Sequence, residues 1–159
     1  MKKDGLVAWE DRYSMGIISI DEQHKKLFEM TNSLYDACLR GEETARRYFK
    51  EVIHDAVKYV QFHFTTEERL MERLKFSGLA EHKAEHTDFV KKVLEEVQNF
   101  EGGKNFVPNM FVRFLREWIV HHIAITDTKY ADYIRILKKQ GTLSMYFKSP
   151  SQASPMVVK

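Results

Sequence analysis

The sequence predicts an all-α protein, an up-down-up-down antiparallel four-helix bundle. The expected division is an N-terminal arm over residues 1–18, a four-helix domain over 19–139 and a C-terminal tail over 140–159, the tail read as mobile. Two observations predict the fold class. Apolar residues recur at spacings of three and four along four long stretches, the period of an amphipathic helix. Glycine and proline are sparse and gather between those stretches, so the connections are short and neighbouring helices run antiparallel. A third observation concerns the interior. Every stretch carries histidine, or histidine with a carboxylate, on or beside its apolar stripe.

The arm holds Leu6, Val7, Trp9 and Ile17, which can pack across a bundle. Helix one is expected to start at Ser19 or Asp21, either of which can cap it, and to end near Gly41. Its inward stripe reads Ile20, His24, Leu27, Phe28, Thr31, Leu34, Tyr35, Cys38. Helix two is expected over 43–75, stopping before Ser77-Gly78, with Phe49, Val52, Ala56, Tyr59, Val60, His63, Glu67, Leu70, Met71 and Leu74 inward. Helix three is expected over 79–101, with His82, His86, Phe89, Val93, Val97 and Phe100 inward and Gly102-Gly103 as its stop. Helix four begins near Pro108, a residue suited to a first helical turn. Its stripe reads Met110, Phe111, Phe114, Leu115, Trp118, His122, Ile125. There the phase slips: Tyr130, Ile134 and Leu137 follow in register with Asp127 instead.

Composition narrows the function. A chain of 159 residues, 43% hydrophobic, forms one domain with a sizeable core. The net charge of +2 is a small difference between many opposite charges. No basic stripe stands out, so nucleic acid is not an expected partner. No stretch approaches the roughly 18 apolar residues of a membrane span, and the start has no signal-peptide core. The expected location is the cytoplasm. Cys38 is the only cysteine, which excludes thiolate metal sites and internal disulfides. It continues the apolar spacing of helix one and reads as a small core residue.

The polar residues inside the stripes fall in an ordered series: His24, then His63 and Glu67, then His82 and His86, then His122 and Asp127. Residues four apart share a helix face, so His63 converges with Glu67 and His82 with His86. His122 and Asp127 are five apart, about 140° around a regular helix. A single wide turn between about residues 121 and 128 brings them together, and the slip of the apolar stripe calls for the same turn. One histidine on an apolar stripe is ordinarily a core residue. Seven polar groups in one dry layer are different, because each left unpaired costs roughly 1–3 kcal/mol, against about 5–15 kcal/mol for a whole domain. A metal cluster satisfies all of them. If both carboxylates bridge two octahedral metals that also share one solvent oxygen, every position but one is filled. Imidazole and carboxylate suit iron, zinc or manganese. His54 and His121 point elsewhere and are left out.

The order His…HxxxE…HxxxH…HxxxxD, with Trp9 upstream and the segment Ile20-Asp-Glu-Gln-His24-Lys-Lys-Leu-Phe28, resembles the hemerythrin family in its bacterial, single-domain form. The resemblance covers about residues 6–137 and matches all seven ligand positions. It implies two iron ions, oxo- or hydroxo-bridged, that bind dioxygen reversibly. On that resemblance His82, His86 and His122 hold one iron, His24 and His63 hold the iron with the open position, and Glu67 and Asp127 bridge them. Dioxygen there takes two electrons from the iron pair and a proton from the bridge. Leu27, Phe28, Phe64, Trp118, Ile119 and Ile123 are the expected apolar walls of the dioxygen pocket. Such walls supply no proton to drive release of reduced oxygen.

The resemblance implies an oxygen carrier, store or local supplier rather than an enzyme, with dioxygen as partner and nitric oxide or small anions such as azide as further ligands. The alternatives are an oxygen or redox sensor that moves helices against a partner, and a di-iron oxidase or nitric-oxide-handling enzyme. In the tail, Gln140-Gly-Thr-Leu143-Ser-Met-Tyr146-Phe147 resembles a sliding-clamp docking peptide; the competing reading is that its apolar residues fold back on the bundle.

Overall fold

A computed structural model describes residues 5–148. The basic start and the Ser-Pro-rich run of the tail, 149–155, lie outside the described residues. Helix α1 spans Ile18–Leu39 and α2 spans Glu42–Arg73. Two residues link them, so they lie side by side and antiparallel. Helix α3 spans Leu79–Glu101. The fourth rod is α4 (Pro108–His121), a π-helical segment (His122–Asp127) and α5 (Thr128–Lys139). These are the four expected helices, and no strand occurs among the described residues.

Two helix ends differ from expectation. α1 begins one residue before Ser19, and neither Ser19 nor Asp21 caps it. Asp21 holds the arm instead: its carboxylate accepts from the Met15 backbone N–H at 2.7 Å and from the Ser14 hydroxyl at 2.6 Å. α2 stops at Arg73, before the serine–glycine pair. Lys75 takes a left-handed φ of 53°, and the Phe76 N–H donates back to the Met71 carbonyl at 2.9 Å. This 6→1 closure satisfies an end carbonyl without glycine. Phe76 then packs on Tyr133 of α5 at 5.5 Å.

The arm lies across α1. Asn32 clamps it, accepting from the Val7 N–H at 3.0 Å and donating to the Val7 carbonyl at 2.8 Å. Trp9 and Tyr13 pack on Phe28 at 5.8 and 5.0 Å. At one end of the bundle Phe49, Phe100, Phe106 and Phe111 interlock with ring centroids 5.0–6.3 Å apart. A fully buried side chain of this size stabilises the fold by roughly 1.5–3 kcal/mol. That cluster anchors one end and leaves the middle of the bundle to polar groups.

Met110 and Ile125, read as inward, are exposed. Met110 sits in the first turn of α4. Ile125 is the residue that the π turn pushes out. The tail also differs from expectation: Leu143–Phe147 forms a short 3-10 helix. Arg73 fixes it, donating to the Tyr146 carbonyl at 2.9 Å and lying 4.7 Å over the Phe147 ring. Leu143 and Tyr146 are half-buried against the bundle. Of the apolar residues that resemble a docking peptide, Leu143 and Tyr146 fold back, while Met145 and Phe147 stay exposed.

Candidate metal centre

Five imidazoles and two carboxylates meet in the middle of the bundle. His24, His63, Glu67, His82, His86, His122 and Asp127 are each no more than 3% exposed. They divide into two groups of potential ligand atoms. Glu67, His82, His86, His122 and Asp127 form one, and His24, His63 and Glu67 the other, with all atoms of a group within 4.8 Å of one another. Asp127 spans the groups. Its Oδ2 lies 3.2 Å from His24 Nε2, and its Oδ1 lies 3.1 Å from His122 Nε2 and 3.3 Å from His82 Nε2. Glu67 spans them as well, with Oε1 3.3 Å from His24 Nε2 and Oε2 3.4 Å from His86 Nε2 and 3.5 Å from His63 Nε2.

The fourth rod brings His122 and Asp127 together through six π-helical residues. The wide turn weakens the local ladder, and a hydrogen bond is worth about 1 kcal/mol net. In return Asp127 enters the site, and Tyr130, Ile134 and Leu137 stay in the core. Those three burials outweigh the ladder bond several-fold, so the π turn is the stable solution. His54 is exposed and pairs with Glu101 on the surface, and His121 is also exposed.

The arrangement fits a cation pair on three counts. His86 and His122 each donate from Nδ1 to a carboxylate, Glu68 at 2.9 Å and Glu85 at 3.0 Å, which turns their Nε2 lone pairs inward. Those two Nε2 atoms are 3.0 Å apart, and His82 Nε2 is 3.1 Å from that of His86. Lone pairs so close repel unless a cation sits among them. Among the described residues, Glu67 Oε2 and both Asp127 oxygens are buried with only the site's own imidazoles facing them, a costly state for carboxylate oxygens unless positive charge stands there.

Titration in the metal-free protein reflects the same crowding. Burial pulls the His24 and His82 imidazoles down, but bonds and charge from Asp127 and Glu67 outweigh it and hold both up at about 9. Burial lowers His63 to about 4. Burial opposes ionisation of Glu67 and Asp127, yet the surrounding imidazoles hold both carboxyls below their ordinary range. Two protons on His24 and His82 thus stand in for positive charge that metal ions supply.

The expected pocket walls do not fall in one place. Leu27 and Ile119 are buried and line an apolar cavity of about 40 Å³ between the helices, with Leu34, Val93 and Leu115. Phe28 is buried under the arm. Phe64 stacks on His86 at 3.7 Å and Trp118 stacks on His122 at 4.3 Å. These two rings lie against the three-histidine group, though Phe64 also comes within 5.8 Å of His63. Ile123 is buried in the π segment.

Sequence reasoning missed a surrounding layer. Gln23 accepts from His63 Nδ1–H at 2.9 Å, Glu68 and Glu85 accept from His86 and His122, and Thr126 donates to Glu85 at 2.9 Å. Each stands next to a ligand in sequence but, Thr126 included, serves a partner on another helix. The adjacency was the available signal, since a residue one step from a ligand points about 100° away, toward the neighbouring helix. Tyr130, read as core, donates to Glu67 Oε1 at 2.8 Å. Burial and the Glu67 charge push its phenol well above the ordinary value, so it stays a donor.

Comparison with known proteins agrees with this geometry. The family model of the hemerythrin HHE cation binding domain matches residues 15–134. The bacteriohemerythrin of Stenotrophomonas maltophilia is 35% identical over 130 residues, 82% of each chain. That of Pseudomonas aeruginosa is 36% identical over 129 residues, 81% of this chain and 82% of its own. A crystal structure of wild-type hemerythrin superposes with a TM-score of 0.73 at 30% identity, covering 80% of this chain and 96% of its own. The chain belongs to the hemerythrin family, non-heme iron proteins that bind dioxygen. Its buried histidine–carboxylate cluster fits a di-iron centre.

Proposed function

We propose that this protein binds dioxygen reversibly at its di-iron centre and acts as an oxygen carrier, store or local supplier. The observation that carries the reading is the cluster itself, in which five inward imidazoles surround two buried carboxylates, and both Asp127 oxygens and Glu67 Oε2 meet no other donor among the described residues. His82, His86 and His122 would hold one iron, His24 and His63 the other, and Glu67 and Asp127 both. When bound, the iron pair supplies the electrons that dioxygen takes up and gives back.

The chain's own residues favour return over consumption. Leu27 and Ile119, each three residues from a ligand histidine in sequence, line an apolar cavity, a space that admits a small apolar gas and disfavours water. The Tyr130 hydroxyl is already committed to Glu67. An oxidative enzyme needs a proton delivered to reduced oxygen, and aliphatic walls deliver none. Nitric oxide and small anions such as azide are expected to enter the same open position.

Reversibility is the test. The protein is loaded with ferrous iron without air, titrated with dioxygen, then purged. A visible charge-transfer absorption that appears and fades over repeated cycles supports the reading. One-way oxidation with substrate turnover, or colourless binding of zinc alone, overturns it.

A further inference from the structure

The two metal positions differ in what stands behind their histidines. Behind the three-histidine position are two carboxylates, Glu68 on His86 and Glu85 on His122, at 2.9 and 3.0 Å. Behind the two-histidine position His63 donates to the neutral Gln23 amide, and His24 Nδ1 is buried with no partner among the described residues. We propose that Glu68, Glu85 and Gln23 are positioning residues that set an electronic asymmetry, making the three-histidine iron the easier of the two to oxidise.

The chemistry follows from the hydrogen bond. A carboxylate on Nδ1–H draws the proton toward itself and leaves Nε2 more basic and more electron-donating; an amide oxygen does so far less. More donation stabilises ferric over ferrous iron. The two carboxylates are not equal. Glu68 also lies 3.7 Å from the Lys83 ammonium, which offsets part of its charge. Glu85 has the Thr126 hydroxyl as its other partner, which orients it without neutralising it. Glu85 is therefore expected to have the larger effect. The consequence for function is directional. On the di-iron reading, His82, His86 and His122 would hold an iron that supplies one of the electrons dioxygen takes up and returns. Charged partners behind its ligands favour the giving, and the neutral partner on the open side holds the other iron back from spontaneous loss.

The inference rests on the di-iron reading, so iron content is measured first; a chain that takes up no iron overturns both. The two one-electron midpoint potentials of the iron-loaded protein are then found by anaerobic redox titration. That measurement needs no dioxygen, so a failure of oxygen binding stays distinct from a failure of the asymmetry. Glu85→Gln retains an acceptor for His122 Nδ1–H and removes only the charge. It is expected to raise the lower potential by about 59 mV, tenfold in the one-electron equilibrium, and Glu68→Gln by less. Gln23→Glu places a carboxylate on the open side and is expected to lower the higher potential. All three variants thus narrow the gap. A gap that is unchanged, or two potentials that move equally, overturns the proposal. If a glutamine variant loses iron, Gln23→Glu decides alone, because it removes no acceptor from any ligand.

Discussion

Tyr130 shows how one hydroxyl supports the site. Its bond to Glu67 Oε1 is the only donation to that carboxylate from a group other than the ligand histidines among the described residues. Tyr130→Phe keeps the ring and leaves Oε1 short of a donor. The expected loss is about 1–3 kcal/mol in chemical denaturation of the metal-free protein. Iron-loaded protein should lose less, since metal takes up the freed lone pair; an equal loss in both forms would contradict the bridging role of Glu67. Ile119 tests the apolar wall. Ile119→Thr shortens the side chain by one heavy atom and puts a hydroxyl on the cavity wall, so Ile119→Val serves as the apolar control of matching size. Faster autoxidation in repeated oxygenation cycles is expected, and an unchanged rate would remove Ile119 from the pocket.

At the scale of the element, the π segment carries the sharpest expectation. Ile125 is exposed and is the residue in excess. Deleting it turns the five-residue step from His122 to Asp127 into four, which a regular helix also places on one face. Deletion should therefore preserve helicity by circular dichroism and two irons per chain. Inserting alanine after Ile125 adds a second excess residue and swings α5 by about 100°. Tyr130, Ile134 and Leu137 would leave the core, at a cost of about 1.5–3 kcal/mol each. Insertion is expected to abolish cooperative unfolding, and survival of both iron binding and stability would refute the phase account.

The whole molecule responds to pH through the site. Without metal, His24 and His82 sit near 9 against 6.5 in the unfolded chain. Their contribution is complete below pH 6.5 and fades as pH rises through 9. His63 is held near 4, so the unfolded chain gains its proton first as pH falls below 6.5, and stability drops. The depressed carboxyls of Glu67 and Asp127 add a further loss at lower pH. Metal-free protein should thus be most stable near pH 6.5, which urea midpoints across pH 4–9 would show. Iron must displace the His24 and His82 protons, so its apparent affinity should rise across the same upper range. Saturation at a thousandfold excess over Kd adds about 4 kcal/mol, readable as a higher melting temperature that chelation reverses.

Helix number, the four ligand-bearing stripes and the need for a wide turn were legible in the sequence, because each is a matter of spacing along one helix. Seven polar groups in phase with core residues left a buried cluster as the consistent outcome. The arrangement around them was decided by tertiary structure. Gln23, Glu68 and Glu85 stand next to ligands in sequence, but each serves a ligand on another helix, and spacing within one helix does not say which. Phe64 of α2 proved to stack on His86 of α3, a choice set by how the helices rotate against one another, whereas Trp118 stacks on His122 four residues along the same rod. Asp21 binds the arm rather than capping α1, and Leu143–Phe147 docks on Arg73, since both depend on partners distant in the chain. Local periodicity fixes which face turns inward; only packing fixes which neighbour that face meets.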